Sequence, residues 1–289
     1  MLRPVALGLA ALALFAAGAY GQREQLTLGW LATQTPRTTL EAREALIGPA
    51  MTFHPPADIP PPWPAVIQFH GCAGMRADFM QQWAEAANRR GWLAVVVDST
   101  GPRGIDRDRA LASVCAGKEL IGQERAGDVL AAYDIVRARP DVDASKIVLA
   151  GWSHGAWSVM DLIAMTPPRR LPAGVAREGV KPPDIAGAIL VYPYCGLGAW
   201  TRLDGWRKPV PALALVAGAD TVVYPAACPK VFEQLKEDGA DIDLVIYPDA
   251  DHVFDDPFLA PKDRHMYDAE AHADATRRYE TFLAEIAGR

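Results

Sequence analysis

The chain has 289 residues, half of them hydrophobic, with 29 Lys and Arg against 35 Asp and Glu and a formal net charge of -6. This length and apolar content suffice for one large buried core. The acidic balance and the lack of any Lys/Arg run exclude the basic surface that nucleic-acid-binding proteins use, so we expect no nucleic-acid partner.

The first 19 residues have the pattern of an export signal. Arg3 supplies a short positive start, Val5 to Ala17 is apolar, and Ala17-Gly18-Ala19 matches a small-x-small cleavage site. We therefore expect cleavage after Ala19 and a periplasmic or secreted protein. The alternative is an uncleaved anchor, but the apolar run is shorter than the ~20 residues of a spanning helix. No later run approaches that length, so we expect no membrane association after cleavage.

The next part of the chain predicts little regular structure. Residues 20–44 are mostly polar without clear periodicity, which indicates an N-terminal arm. Apolar residues from Ala45 to Phe53 predict a first strand or hairpin, and the prolines from Pro55 to Pro64 predict a loop. We accordingly place the folded domain at residues 45–289.

The remaining sequence alternates strands and helices. Strands are predicted at 65–69, 92–97, 146–150, 188–192, 212–216 and 243–247, helices at 77–90, 123–139, from 154, at 226–238 and at 267–287, and longer loops at 99–117 and 200–209. Continuous apolar strands separated by helices indicate an α/β fold with a mostly parallel sheet covered on both faces. Ligands bind outside the carboxyl ends of such strands, so the chemistry is expected in the loops that follow them.

The most informative motif is Gly151-Trp152-Ser153-His154-Gly155, a G-x-S-x-G between a predicted strand and a predicted helix. This sharp turn needs small residues beside the serine and exposes its hydroxyl at a helix N-terminus. The pattern predicts Ser153 as a nucleophile and the backbone N–H of His154 as one donor to a substrate oxyanion.

A serine nucleophile needs a histidine base and an acid that orients it. Of the histidines after Ser153, only His252 directly follows a predicted strand, whereas His265 and His272 fall in or beside the last helix. Asp220 follows a strand between Ser153 and His252, which is the chain order of this fold. The competing acids are Asp184, Asp204, Asp249, Asp251 and Asp255.

The loop His70-Gly71-Cys72-Ala73-Gly74 follows an earlier strand, where a second oxyanion donor is expected. We assign that donor to the N–H of Cys72, with Ala73 as the alternative, and His70 to a structural role. For the substrate pocket we predict an apolar wall from Trp152. Arg103 is predicted to bind a substrate carboxylate, unless it ties its loop to Asp98 or Asp106.

Four cysteines occur in the mature part of the chain, at Cys72, Cys115, Cys195 and Cys228. An even count in an exported chain predicts disulfides, and three pairings are possible. We favour Cys72 with Cys115 and Cys195 with Cys228, because each pair joins loops that follow strands on one edge of the sheet. Reduced, buried cysteines are the alternative.

Several segments together resemble the dienelactone hydrolase family of the α/β-hydrolase superfamily across residues 45–285. The segments are residues 64–74, 98–104, 151–155, 216–220 and 247–254. The resemblance implies the α/β-hydrolase fold and hydrolysis of a small ester or lactone. The family's namesake enzymes carry cysteine as the nucleophile, whereas this chain has Ser153, so the resemblance points to a serine esterase. The paired cysteines look like those of exported family members.

The predicted reaction is acyl transfer through an acyl-enzyme on Ser153. No His/Asp/Glu cluster has metal-ligand spacing and no nucleotide motif occurs, so neither a metal nor a cofactor is expected. The alternatives are a serine peptidase or amidase, a thioesterase on the same fold, and a non-catalytic binding module that kept the fold.

Overall fold

The computed structural model describes residues 23–208 and 210–289, and the predicted export signal lies outside them. Within this part of the chain, the strands form one sheet in the order β1-β3-β2-β4-β5-β6-β7. Only β1 runs antiparallel, against β3. The strands are β1 (Met51–His54), β2 (Trp63–Phe69), β3 (Leu93–Val97), β4 (Val142–Trp152), β5 (Gly187–Val191), β6 (Ala212–Ala217) and β7 (Ile242–Tyr247).

Helices cover both faces of the sheet, and this arrangement confirms the predicted α/β-hydrolase class. The helices are α1 (Arg23–Gln34), α2 (Leu40–Ile47), α3 (Ala77–Asn88), α4 (Gly122–Arg137), α5 (His154–Met165), α6 (Trp200–Asp204), α7 (Ala227–Glu237) and α8 (Ala269–Gly288). Residues of α2, α4, α5 and α7 share one core layer, and residues of α3 and α8 share the other. Every residue of β3, β5 and β6 is buried, as expected for strands packed on both faces. None of the described helices has the length and apolarity that a bilayer crossing requires.

The N-terminal part differs from the prediction. The residues expected to form an arm contain α1 and α2, and the predicted strand from Ala45 begins only at Met51. Thr39 caps α2 by accepting a hydrogen bond from the N–H of Ala42 at 3.1 Å. Leu40 and Ile47 are buried in the core layer shared with α4. Burial against the rest of the domain therefore stabilises a helix whose own sequence pattern is weak.

The two long predicted loops also contain helical turns. The first includes a 3-10 turn at Gly101–Arg103, an α-turn at Arg107–Arg109 and a π-turn at Ala110–Val114, and the second includes α6. Asp106 caps the α-turn by accepting from the N–H of Arg109 at 2.9 Å. Such short helices depend on tertiary contacts, which the sequence pattern does not reveal.

Candidate active site

Ser153 lies at the turn between β4 and α5, in a strained conformation with φ 54° and ψ -116°. A Cβ on Gly155 would lie 2.1 Å from the carbonyl oxygen of Phe69, so no larger residue fits there. A Cβ on Gly151 would lie 2.4 Å from the backbone nitrogen of Ala156. These close approaches hold the serine hydroxyl at the carboxyl edge of the sheet, at the N-terminus of α5.

The structure brings His252 and Asp220 to Ser153. The Nε2 atom of His252 lies 3.0 Å from Ser153 Oγ, and its Nδ1 lies 2.7 Å from Asp220 Oδ2. All three residues are buried. The other carboxylate oxygen of Asp220 accepts hydrogen bonds from the N–H groups of Val222 and Val223, both at 2.8 Å. This arrangement has the order and contacts of a nucleophile, a base and an orienting acid.

The loops that carry Asp220 and His252 are joined through their backbones. Gly218 N donates to Tyr247 O at 2.7 Å, and Ala219 N donates to Ala250 O at 3.0 Å. Asp251 strengthens this junction by accepting from the N–H of Thr221 at 2.7 Å and from the N–H of His252 at 2.6 Å. The positions of Asp220 and His252 are therefore fixed relative to one another.

The competing acids and histidines have other partners or positions. Asp184 is exposed and pairs with Lys208, and Asp204 is partly buried and pairs with Arg170. Asp249 is exposed, as is His265, and His272 packs beside the ring of Tyr267 at the start of α8.

Asp255 lies in a buried network beside His252. Its two oxygens accept hydrogen bonds from Tyr192 Oη at 2.7 Å and from Trp152 Nε1 at 2.9 Å. Burial raises the pKa of Asp255 to about 7. The ring of Tyr192 lies 4.6 Å from that of His252, so this network supports one side of the imidazole.

The prediction that Trp152 forms a wall of the substrate pocket is wrong. Its indole is 1% exposed and packs against Phe79 and Trp83 in the core layer on the α3 side of the sheet. Successive side chains in a strand point to opposite faces, and Trp152 is the last residue of β4. That geometry turns it away from the face on which the cavity lies.

His70 sets the orientation of the loop that was predicted to hold an oxyanion donor. Burial, and then the charge of Arg125, lower the pKa of His70, which keeps the ring neutral. Its Nε2 accepts from the N–H of Ser99 at 3.2 Å, so Nδ1 carries the proton and donates to the carbonyl of Gly71 at 2.7 Å. Because C=O and N–H of a trans peptide point in opposite directions, this bond fixes the direction of the N–H of Cys72. A Cβ on Gly71 would lie 3.6 Å from Ser153 Cβ, so the loop lies against Ser153.

Arg125 of α4, which the sequence analysis missed, lies behind the same loop. Its Nη1 donates to the carbonyl of His70 at 2.7 Å and lies 3.1 Å from Nδ1 of His154. Burial lowers its pKa to about 10, so the side chain keeps its charge at neutral pH. One buried cation thus links the loop before Cys72 to His154, the residue after Ser153. No local signal distinguishes Arg125 in the sequence, because α4 also carries Glu124, Asp128, Asp134 and Arg137.

Arg103 is held by partners that were not predicted. Its guanidinium makes a bidentate pair with Asp128 at 2.8 and 3.0 Å and donates to the carbonyl of Ser99 at 2.6 Å. Neither Asp98 nor Asp106 is its partner in these contacts, and Asp128 also binds Arg43 at 2.9 Å. Recognition of a substrate carboxylate by Arg103 remains a prediction.

A cavity of about 340 Å³ opens beside Ser153. It is bounded by the predicted oxyanion residues Cys72 and His154 and by apolar side chains from distant segments. Those side chains include Leu28, Val114, Ile121, Trp157, Tyr194 and Leu197. Sequence reasoning found none of these six. Trp157 lies one turn after Ser153 on α5, and the other five reach the cavity through packing between separate segments.

The structure contains both disulfides in the pairing that the sequence favoured, Cys72 with Cys115 and Cys195 with Cys228. The first ties the loop after β2 to the helical turns before α4, and both of its cysteines line the cavity. The second ties the loop after β5 to α7. Two disulfides are compatible with an exported protein.

A family model for the dienelactone hydrolase family matches residues 49–287. The chain belongs to the dienelactone hydrolase family. It is therefore a member of a hydrolase family, within the α/β-hydrolase superfamily. This membership confirms the resemblance found from the sequence segments.

Solved structures show the same fold at low sequence identity. A candidate dienelactone hydrolase from Klebsiella pneumoniae is 17% identical, with a TM-score of 0.61 over 81% of this chain and 92% of that one. A thermophilic esterase from Thermogutta terrifontis is 20% identical, with a TM-score of 0.61 over 82% of this chain and 89% of that one.

A curated relative, a probable dipeptidyl-aminopeptidase B from Phaeosphaeria nodorum, is 25% identical over 173 residues. The match covers 56% of this chain. The chain spans only about a fifth of that relative's length, at 19%.

Proposed function

We propose that this protein is a serine hydrolase that cleaves carboxylic esters or lactones through an acyl-enzyme on Ser153. The observation that carries the proposal is the hydrogen-bonded series from Ser153 Oγ to His252, 3.0 Å, and from His252 to Asp220, 2.7 Å. A hydroxyl on a strained turn, a buried imidazole and a buried carboxylate in this order provide an activated nucleophile.

The reaction begins when His252 Nε2 takes the proton of Ser153 Oγ as the oxygen bonds to the substrate carbonyl carbon. The backbone N–H groups of Cys72 and His154 receive the resulting oxyanion. His252 then gives its proton to the leaving oxygen, and the bond from that oxygen to the carbonyl carbon breaks. A water molecule repeats the sequence on the acyl-enzyme and releases the acid. Asp220 orients the imidazole and stabilises its charge throughout.

Esters are the preferred substrate class because of the chain's family and the reported ligands of a protein of the same fold. Thermogutta terrifontis esterase 2 has been solved with propionate bound, with butyrate bound and after phosphorylation by paraoxon. Those ligands belong to that esterase. They make short-chain p-nitrophenyl esters and organophosphorus reagents suitable first probes for this chain.

The decisive test is labelling of the purified protein with a fluorophosphonate, followed by intact-mass and peptide analysis. We expect one adduct, on Ser153, that is absent in the Ser153→Ala variant. Hydrolysis of p-nitrophenyl acetate should fall at least about 10⁴-fold in that variant. A folded protein that takes no label and turns over no ester would favour a binding module instead.

The match to a dipeptidyl-aminopeptidase gives specific support to one alternative, peptide or amide hydrolysis by the same serine. Ester and amide substrates with the same acyl group separate the two activities. The esterase proposal predicts that the p-nitrophenyl ester is cleaved and the matching p-nitroanilide is not. Faster cleavage of the anilide would reverse the assignment, and a matching thioester tests thioesterase activity in the same assay.

We also propose that the protein is exported and that its signal is removed after Ala19. Intact-mass analysis of the protein recovered from its native host tests the cleavage site. A mass that includes the first 19 residues would contradict it.

A further inference from the structure

We propose that the cavity beside Ser153 is the acyl pocket, that it accepts uncharged apolar acyl groups, and that Leu28 of α1 forms the wall that limits their length. This inference rests on the proposed esterase function and adds the substrate class. It assigns a role to a segment outside the family match, since α1 ends before residue 49.

The position of the cavity identifies which half of the ester it receives. The cavity is lined by Ser153 and by both predicted oxyanion residues, Cys72 and His154, whereas His252 is not one of its lining residues. The leaving oxygen must reach His252 to receive its proton, so the leaving group extends toward the imidazole. The acyl chain is the remaining substituent of the carbonyl carbon, and it therefore enters the cavity.

The chemistry of the walls identifies the acyl group. Among the described residues, no Asp, Glu, Lys or Arg side chain lines the cavity. Burial, and then the charge of Arg125, lower the pKa of His154 well below its usual value, so this ring is neutral as well. Arg125 itself is 1% exposed, is turned toward His70 and His154, and is not a lining residue. A charged acyl group would be buried here without a partner.

The aromatic walls present apolar surface because their polar atoms are bonded elsewhere. Trp157 Nε1 donates to Asp161 at 2.8 Å, and Tyr194 Oη donates to the carbonyl of Leu197 at 2.9 Å. The two rings lie 4.8 Å apart, tilted by 54°. They form an apolar wall beside the nucleophile. Gln123 also lines the cavity; its Nε2 donates to the carbonyl of Gly198, and its remaining Oε1 is an acceptor that would repel a carboxylate.

Leu28 lines the cavity because polar contacts of Glu24 hold α1 beside it. Glu24, one turn earlier, accepts from the N–H of Gly198 at 2.5 Å and pairs with Arg202. Leu28 is 7% exposed, and a Cβ on Gly198 would lie 3.5 Å from its Cδ2 atom. Leu26 on the same helix is 58% exposed and is not a lining residue, so only one side of α1 closes the cavity.

The test compares kcat/KM for p-nitrophenyl esters that share one leaving group. From acetate to hexanoate we expect a rise of about fourfold for each methylene that the cavity buries. The mono-adipate ester, which ends in a carboxylate, should react at least about 100-fold more slowly than the 6-methylheptanoate ester of similar shape.

Variants of Leu28 test the wall. Relative to acetate, Leu28→Ala should move the preferred chain toward octanoate and longer acids, and Leu28→Trp should lower the hexanoate rate at least about tenfold. Leu26→Ala is the matched control and should leave the profile unchanged. Expressing each rate relative to acetate removes differences in the amount of active enzyme.

Two results would overturn the inference. One is an adipate ester cleaved as fast as its neutral counterpart, and the other is a chain-length profile that neither Leu28 variant moves. In both cases acetate hydrolysis and labelling of Ser153 would persist, so the esterase function would stand. Loss of labelling and of acetate hydrolysis in the unmodified protein would instead contradict the proposed function.

Discussion

The loops that carry Ser153, Asp220 and His252, here called the triad loops, lie beside the walls of the proposed acyl cavity, but the two regions are built in different ways. Ser153, Asp220 and His252 each lie within five residues of the end of a strand, β4, β6 or β7. The cavity walls come mostly from other segments, namely α1, the turns before α4, α5 and the loop after β5, together with Val222 and Val223 of the Asp220 loop. Strand ends therefore position the residues proposed to react, whereas packing between separate segments shapes the cavity proposed to select the acyl group.

The largest loss of activity is expected when Asp220, on one of the triad loops, is replaced. In Asp220→Asn the amide would face His252 Nδ1 and favour the wrong tautomer, so kcat should fall about 10⁴-fold. The measurement is steady-state hydrolysis of p-nitrophenyl acetate. Asp249→Asn, at an exposed residue near His252, is the control and should retain full activity. Equal losses in the two variants would mean that Asp220 is not the orienting acid.

The buried Asp255 beside His252 should make stability depend on pH. Its folded pKa of about 7 lies above the ordinary value of 3.8 expected when unfolded, so the folded state holds an extra proton between these values. The stability of the wild type relative to Asp255→Asn should therefore be greatest below pH 4, fall as the pH rises toward 7, and then level off. The total change is up to about 4 kcal/mol.

Urea unfolding of the wild type and Asp255→Asn at several values between pH 4 and 8 measures this difference. Asp249→Asn again serves as the control, because it makes the same substitution at an exposed residue. A constant difference between the wild type and Asp255→Asn across this range would contradict a raised pKa at Asp255.

The two disulfides provide a matched comparison between the site and its surroundings. They close loops of similar length, 43 and 33 residues, so replacing either pair with alanine should cost a similar stability, about 3 to 4 kcal/mol. Only the Cys72–Cys115 bridge holds the predicted oxyanion loop. Its loss should also lower kcat at least about tenfold, whereas loss of Cys195–Cys228 should leave kcat closer to the wild-type value.

Thermal unfolding measures the loss of stability, and p-nitrophenyl acetate kinetics at temperatures below the unfolding range measure kcat, so the two effects are separated. If both double variants lost the same fraction of kcat, the oxyanion loop would not depend on its disulfide.

The smallest effects are expected on stability, at two glycines near the cavity that both have open space around the Cβ position. Gly29 lies within α1, so Gly29→Ala should stabilise the fold by up to about 1 kcal/mol. Gly117 has a φ of +66°, so Gly117→Ala should destabilise it by about 1 kcal/mol. Differential scanning calorimetry measures both. An unchanged melting temperature for Gly29→Ala would indicate that α1 unfolds before the rest of the domain.

Much of the fold followed from periodicity, because buried parallel strands read as continuous apolar runs. The predicted strands after residue 64 all match strands of the structure, with shifts of a few residues at their ends. The helices that were missed, α1, α2 and α6, are short or weakly patterned and depend on tertiary contacts. The resemblance to the dienelactone hydrolase family was visible because its motifs occupy strand ends in a fixed order.

The sequence by itself determined the α/β class, the elbow around Ser153 and the residues proposed as acid and base, since each is a short segment with its own local signal. Tertiary packing instead determines that Trp152 lies in the core, that Arg103 binds Asp128, and that Leu28 lines the cavity beside Ser153. A strand, the turn that follows it and the residue at that turn are specified by a few neighbouring residues, so they can be recognised from the sequence. Which side chains meet in the core or around a cavity depends on packing between segments that are separate in sequence.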